Sequence, residues 1–79
     1  MKEDFLKSVS FELKRIRENL NYTIKEVSEK LGYSQNLISR YENGKPTDLN
    51  IFLNLLNFYD VRADIFFKKV YTYTYISRR

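Results

Sequence analysis

The middle of this 79-residue chain is dense in signals that start and stop helices, and these signals restrict its fold most. Thr23 and Glu26 have the spacing of a capping box, in which each side chain accepts a backbone N–H group at a helix start. Gly32 is the expected helix stop, and Ser34, two residues later, is the expected N-cap of a second helix. These signals predict two short, separately capped helices that are joined by a tight turn.

A stripe of apolar residues predicts a longer helix before this segment. Its members recur every three or four residues, which places them on one face of an α-helix. Asp4 is the expected N-cap, and the helix is expected to end near residues 19–21, where asparagine tolerates a left-handed backbone. The stripe consists of Phe5, Val9, Leu13, Ile16 and Leu20.

Two further helices are predicted after Pro46. Asp48 is the expected N-cap of a helix over about residues 49–59, and a short helix is predicted over residues 63–67. The first of these two helices has apolar residues on both faces, and we expect its second face to pack on another element. That second face consists of Ile51, Leu55, Phe58 and Tyr59.

The hydrophobic pattern changes to a two-residue period over residues 69–76. β-Branched and aromatic residues alternate strictly there, which predicts a β-strand. Because a single strand leaves its backbone polar groups unpaired, we expect antiparallel pairing with a second subunit, packed on Phe58. A frayed tail whose backbone is hydrated by water is the alternative. The expected dimerisation residues of the strand are Val70, Tyr71, Thr72, Tyr73, Thr74, Tyr75 and Ile76.

The chain contains neither cysteine nor histidine, which argues against several classes of function. Disulfides, thiolate metal sites, cysteine nucleophiles and serine–histidine–aspartate catalysis are all excluded. We therefore expect a protein that is not an enzyme and has no catalytic residue, metal or cofactor. No apolar run approaches the ~18 residues of a membrane span, and the charged N-terminus leads into no signal peptide. A cytoplasmic protein without a membrane partner is expected.

The net charge of +4 is concentrated at the C-terminus. Residues 1–67 carry equal numbers of basic and acidic side chains, whereas residues 68–79 carry four basic side chains and none that is acidic. The expected division is therefore a domain over residues 1–67 and a tail over residues 68–79. A basic chain is typical of proteins that bind polyanions, but a tail that only raises solubility has the same composition.

The second of the two short helices carries the side chains needed to read DNA bases. Its polar residues form one face near the helix start, where a helix in the major groove reaches the bases. Glutamine and asparagine pair bidentately with adenine, and arginine pairs with guanine. A solvated face without a partner is the alternative, because any small helical protein has one. The residues expected to read bases are Gln35, Asn36, Ser39 and Arg40.

The same region resembles the helix-turn-helix of the phage Cro and lambda-repressor type, the XRE family. The most characteristic residues are Leu31-Gly32-Tyr33-Ser34 and, after three intervening residues, Ile38-Ser39-Arg40-Tyr41-Glu42-Asn43-Gly44-Lys45. The resemblance runs from about Leu13 to Phe67. It implies an all-α, five-helix DNA-binding domain whose third helix enters the major groove, and the predicted C-terminal strand is an addition to it.

The resemblance also assigns roles to further residues. Arg17 and Glu42 match a pair that joins the first helix to the third in many family members. Other positions match residues that contact the DNA backbone or lie beside such residues. The residues expected to contact phosphate are Thr23, Ser34, Asn43 and Lys45.

Family members of this type are usually regulators that bind twofold DNA sites as dimers. The resemblance therefore implies a sequence-specific transcriptional regulator, expected to be a repressor, that binds double-stranded DNA as a homodimer at an inverted-repeat operator. It also implies a bacterial or phage-encoded protein associated with the nucleoid. The alternative is an antitoxin or protein-interaction module of the same fold, whose C-terminal strand captures a partner protein.

Overall fold

The computed structural model describes residues 2–76, which form five α-helices and no β-strand. The all-α architecture expected from the sequence is confirmed for this part of the chain. Met1 and residues 77–79 lie outside the described residues. Residues 77–79 belong to the predicted tail. Within residues 2–76, no helix is both long and apolar enough to cross a membrane. The helices are α1 (Lys2–Asn19), α2 (Ile24–Leu31), α3 (Gln35–Tyr41), α4 (Leu49–Phe58) and α5 (Ala63–Ile76).

Helix α1 begins before its predicted N-cap. Asp4 lies inside the helix, so its predicted capping role is wrong. Val9, Leu13 and Ile16 are buried along one side, as their spacing predicts. The helix ends within the predicted region, and Asn21 follows in the left-handed conformation with a φ of 64°.

The predicted caps of α2 and α3 are both present. The Thr23 hydroxyl accepts the Glu26 N–H at 3.0 Å, and the Glu26 carboxylate accepts the Thr23 N–H at 2.8 Å. The Ser34 hydroxyl accepts the N–H of Leu37 at 3.1 Å. Gly32 ends α2 with a φ of 74°, a conformation that glycine adopts without steric cost. The caps therefore fix both sides of the turn between α2 and α3.

Helix α4 starts after its predicted cap and buries residues from both of its apolar faces, although Leu49 and Leu53 stay exposed. Asp48 caps the N-terminus through its side chain. Leu55 and Tyr59, from the face expected to pack on another element, are buried in the core of the same chain. The ring of Phe58 packs against Tyr22 with 5.2 Å between centroids. The predicted packing of a strand on Phe58 is therefore wrong, because no described residue forms a strand and contacts within the chain take its place.

The predicted strand over residues 69–76 is wrong, because these residues continue helix α5. The helix passes without interruption through residue 68, where the charge pattern changes. Val70 and Thr74, expected at a subunit interface, are only 0% and 2% exposed within a single chain. An antiparallel ribbon between subunits needs a strand edge, and a helix has none. This correction applies to Val70, Tyr71, Thr72, Tyr73, Thr74, Tyr75 and Ile76.

Packing against α1 and the core explains why the helix is preferred over a strand. Phe66, Val70 and Thr74 recur every four residues and are buried together, so burial follows a helical period. The ring of Phe5 in α1 lies 5.5 Å from that of Tyr71. The hydroxyl of Thr74 donates to the Val70 carbonyl at 2.9 Å, which satisfies a polar group in a buried helical position. β-Propensity depends on context, and tertiary packing overrides it in this segment.

Candidate nucleic-acid interface

Helix α3 is anchored to the core by its apolar side. Ile38 and Tyr41 are buried, and Val27 of α2 belongs to the same core. Ser28 is also buried in α2, and its hydroxyl donates to the Lys25 carbonyl at 2.9 Å, so that its polar group is satisfied. Helix α3 therefore has one face fixed by the core and one face that is open to solvent.

The open face of α3 carries the residues predicted to read bases. Gln35, Asn36 and Arg40 are exposed, and Ser39 is half-buried. Glutamine, asparagine and arginine side chains can each form two hydrogen bonds with a base edge in the major groove. These residues therefore have both the chemistry and the exposure that base contacts require.

Asn43, predicted to contact phosphate, forms two hydrogen bonds with Ser39. Its Nδ2 amide donates to the Ser39 carbonyl at 2.6 Å and to the Ser39 hydroxyl at 3.2 Å. The Ser39 carbonyl also accepts the Glu42 N–H at 3.1 Å, so the Asn43 amide adds a second hydrogen bond to this carbonyl near the C-terminal end of α3. To donate to a phosphate, Asn43 has to release at least one of these hydrogen bonds.

The other three residues predicted to contact phosphate are all exposed. Thr23 and Ser34 cap α2 and α3, and each hydroxyl oxygen accepts a backbone N–H group. A hydroxyl that accepts in this way can still donate its hydrogen to a phosphate oxygen. Lys45 lies in the loop between α3 and α4, where its backbone N–H donates to the Arg40 carbonyl at 3.1 Å. Loop position and helix caps therefore place these three side chains near the two ends of α3 and at the start of α2.

Arg17 of α1 forms an ion pair with Glu42, which follows the last residue of α3. Arg17 Nε and Nη2 donate to the two carboxylate oxygens at 2.8 and 3.0 Å, and Nη1 donates to the Tyr22 carbonyl at 2.8 Å. The hydrogen bonds with Glu42 raise the pKa of Arg17, and burial partly offsets this rise. The pair therefore connects the end of α3 to α1 and to the segment before α2.

Two buried hydroxyl groups hold the loop that follows α3. The Ser10 hydroxyl donates to the Tyr41 carbonyl at 2.7 Å and accepts the Gly44 N–H at 2.8 Å. The Tyr41 hydroxyl accepts the Asp48 N–H at 2.8 Å and donates to the Asp48 carbonyl at 3.2 Å. The sequence pattern carries no signal for Ser10, because its burial depends on a segment 31 residues away. These hydrogen bonds fix the loop that presents Lys45.

A family profile described as helix-turn-helix matches residues 13–66, which is more than half of the chain. The matched region begins inside α1, includes α2, α3 and α4 completely, and ends in the first turn of α5. It includes every residue that the sequence predicts to contact DNA. No curated protein and no solved structure shows a significant match to the chain.

Proposed function

This chain belongs to the helix-turn-helix family of the Cro and lambda-repressor type, and we propose that it regulates transcription by binding a specific sequence in double-stranded DNA. One observation carries the proposal. Gln35, Asn36 and Arg40 are exposed together on a helix whose opposite face is fixed in the core. A fixed helix favours recognition because less conformational freedom is lost when its side chains bind.

Each residue on the open face of α3 has a distinct role in this proposal. Gln35 and Asn36 contact adenine, and Arg40 contacts guanine. The Ser39 hydroxyl already accepts a hydrogen bond from Asn43, so it acts mainly as a donor. Ser39 therefore favours an acceptor on the base edge, such as N7 or O6 of guanine.

Contacts to phosphate supply affinity and orientation in this proposal. Lys45 contributes a charged contact, which makes part of the binding dependent on salt concentration. Asn43 reaches phosphate only after releasing a hydrogen bond to Ser39, so phosphate binding and the orientation of Ser39 are coupled. The proposed phosphate contacts are Thr23, Ser34, Asn43 and Lys45.

We propose that the chain forms a homodimer through a surface other than the predicted strand. An apolar groove of about 260 Å³ lies beside the loop between α3 and α4, and its lining includes Phe5, Pro46 and Phe67. Leu49 lines this groove and is 68% exposed. Among the described lining residues only Asp48 is charged, and it caps α4. Two such grooves can therefore meet about a twofold axis without opposing lysines.

Selection of bound duplexes from a random DNA pool tests the proposed recognition. We expect an inverted repeat whose half-site centres lie about 34 Å apart. Arg40→Ala is expected to relax base preference at one position of each half-site, at a cost of about 1–3 kcal/mol. Arg62→Ala is the matched control, because it removes an exposed arginine outside α2 and α3. Failure to enrich any sequence, or an equal loss on all sequences in the Arg40 variant, would contradict the proposal.

Sedimentation of Leu49→Glu tests the proposed dimer surface. We expect this variant to be monomeric and to lose its preference for the inverted repeat over a single half-site. Leu53→Glu is the control, since Leu53 is also exposed but lines a different cavity. A dimer that survives in the Leu49 variant would exclude this surface.

Repression is the proposed outcome of DNA binding, because a dimer that covers a promoter excludes polymerase. A reporter gene that is driven from a promoter containing the selected site measures repression.

A further inference from the structure

Two cavities meet at Tyr73 on the surface shared by α1 and α5. One, of about 280 Å³, is lined by residues of α1. The other, of about 430 Å³, is lined by residues of α5, and Tyr73 contributes to both. We name this surface the basic groove and define it by Lys7, Phe11, Ile65, Lys68, Lys69 and Tyr73. It includes no residue proposed to contact DNA and no residue of the apolar groove proposed for dimerisation.

A buried carboxylate holds the centre of the basic groove in place. The Tyr73 hydroxyl donates to Glu12 Oε1 at 3.0 Å, and Glu12 is almost completely buried. Arg15 donates to both Glu12 oxygens at 2.8 and 2.7 Å, so the buried charge is compensated. The ring of Phe11 meets that of Tyr73 edge-on at 5.3 Å. The groove is therefore preformed, and a ligand loses little binding free energy in ordering it.

Apolar side chains of the basic groove are exposed to solvent. Phe11 is 56% exposed and Ile65 is 51% exposed. A partner that covers these side chains gains from removing apolar surface from water, and buried aromatic residues anchor many protein interfaces. The phosphates and sugars of a nucleic acid provide no apolar group of this kind, so apolar exposure favours a protein over DNA as the occupant.

The charges around the groove indicate which kind of protein fits. Lys7, Lys68 and Lys69 are its charged members, and no carboxylate is found among the described residues that line the two cavities. Asp64 is already paired with Arg62, and Asp4, one turn before Lys7, is a single carboxylate beside three lysines. Two copies meeting symmetrically through this groove would bring lysines against lysines, which disfavours a second copy as the occupant.

We propose that the basic groove binds an acidic segment of a partner protein, whose apolar side chains pack against Phe11 and against Ile65 while its carboxylates pair with the lysines. Charge complementarity supplies specificity and speeds association, and the apolar contact supplies affinity. The partner does not compete for the residues proposed to contact DNA. This inference therefore stands or fails independently of the DNA sequence that the chain recognises.

Panning of a phage-displayed library of random 12-residue peptides against the full chain tests the proposal. We expect enriched peptides to combine aspartate or glutamate with leucine, isoleucine or phenylalanine. Fluorescence polarisation of the enriched peptide should show at least about tenfold weaker binding to Lys69→Glu and to Phe11→Ser. Lys30→Glu is the matched control, because it makes the same charge change at an exposed site on α2 and is expected to bind normally.

Three results would overturn the proposal. The first is enrichment of peptides without acidic residues, and the second is equal binding of the enriched peptide by all variants. The third is displacement of the peptide by a random DNA duplex, which would identify the groove as a nucleic-acid surface. Circular dichroism shows whether each variant is folded. Because Lys69 is exposed, its replacement keeps the test valid even if Phe11→Ser unfolds.

Discussion

Replacing Glu42 with alanine tests whether a buried ion pair fixes α3 to the rest of the fold. The Arg17 and Glu42 side chains are only 10% and 5% exposed, and hydrogen bonds of 2.8 and 3.0 Å join them. In the variant, Arg17 keeps its charge and loses both carboxylate acceptors. Removing one partner of a buried pair costs about 3–5 kcal/mol, because the remaining charge is uncompensated.

The expected loss is large for a chain of this size. Stabilities of about 0.05–0.15 kcal/mol per residue correspond to roughly 4–12 kcal/mol for the whole chain. Since 1 kcal/mol shifts the melting temperature of a small domain by about 4–8 °C, we expect a decrease of more than about 10 °C. Urea unfolding followed by circular dichroism measures the change in free energy. Replacing both partners, as Arg17→Met with Glu42→Leu, should recover most of the loss.

Asp64→Ala is the matched control, because Arg62 and Asp64 form a similar two-point pair in solvent. Arg62 Nη2 and Nε lie 2.9 and 3.2 Å from the carboxylate oxygens, but the side chains are 79% and 63% exposed. Exposed pairs contribute about 0–1 kcal/mol, so this variant should melt close to the unmodified protein. If Glu42→Ala costs less than about 1 kcal/mol, or no more than Asp64→Ala, burial of the pair does not hold α3 and the reasoning is refuted.

Three further predictions concern single side chains. Ser10→Ala leaves the Gly44 N–H and the Tyr41 carbonyl without their partner. We expect the free energy of unfolding in urea to fall by about 1–3 kcal/mol. An unchanged midpoint would show that the loop repacks. Gly32→Ala is expected to cost about 1–2 kcal/mol from its left-handed backbone alone, because no atom lies within 4 Å of the added methyl group; unaltered melting would contradict this. Burial raises the pKa of Tyr59 above its ordinary value of 10.0. The folded state therefore retains a proton that the unfolded state loses, so stability should decrease as the pH rises above about 10, and less steeply in Tyr59→Phe.

The segment from α2 to α3 was predictable because its signals are local. Thr23 and Ser34 accept N–H groups three residues away, and Gly32 ends α2 through its own backbone conformation. Once these caps define α3, its helical period is sufficient to expose Gln35 and Arg40 on one side. No distant contact is needed for any of these features.

Helix α5 was not predictable in the same way, because two patterns coincide in its sequence. Val70 and Thr74 belong both to the two-residue alternation and to a four-residue repeat that starts at Phe66. An unbroken stretch without glycine or proline from Ala63 to Ile76 is the one local signal that favours a continuous helix. Local propensity cannot decide between the patterns, because the answer depends on which surface is available for packing.

The sequence by itself determined the caps of α2 and α3, the turn between them and the open face of α3, since these depend on interactions within about one helical turn. The tertiary structure decided which polar residues are buried and whether residues 69–76 form a helix or a strand. Ser10 is buried because Tyr41 and Gly44 supply partners from 31 and 34 residues away, and Glu12 is buried with Tyr73 from 61 residues away. A buried polar group is stable only when such partners are present. The partners of Ser10 and Glu12 come within hydrogen-bonding distance only after α1 has packed against α3 and α5.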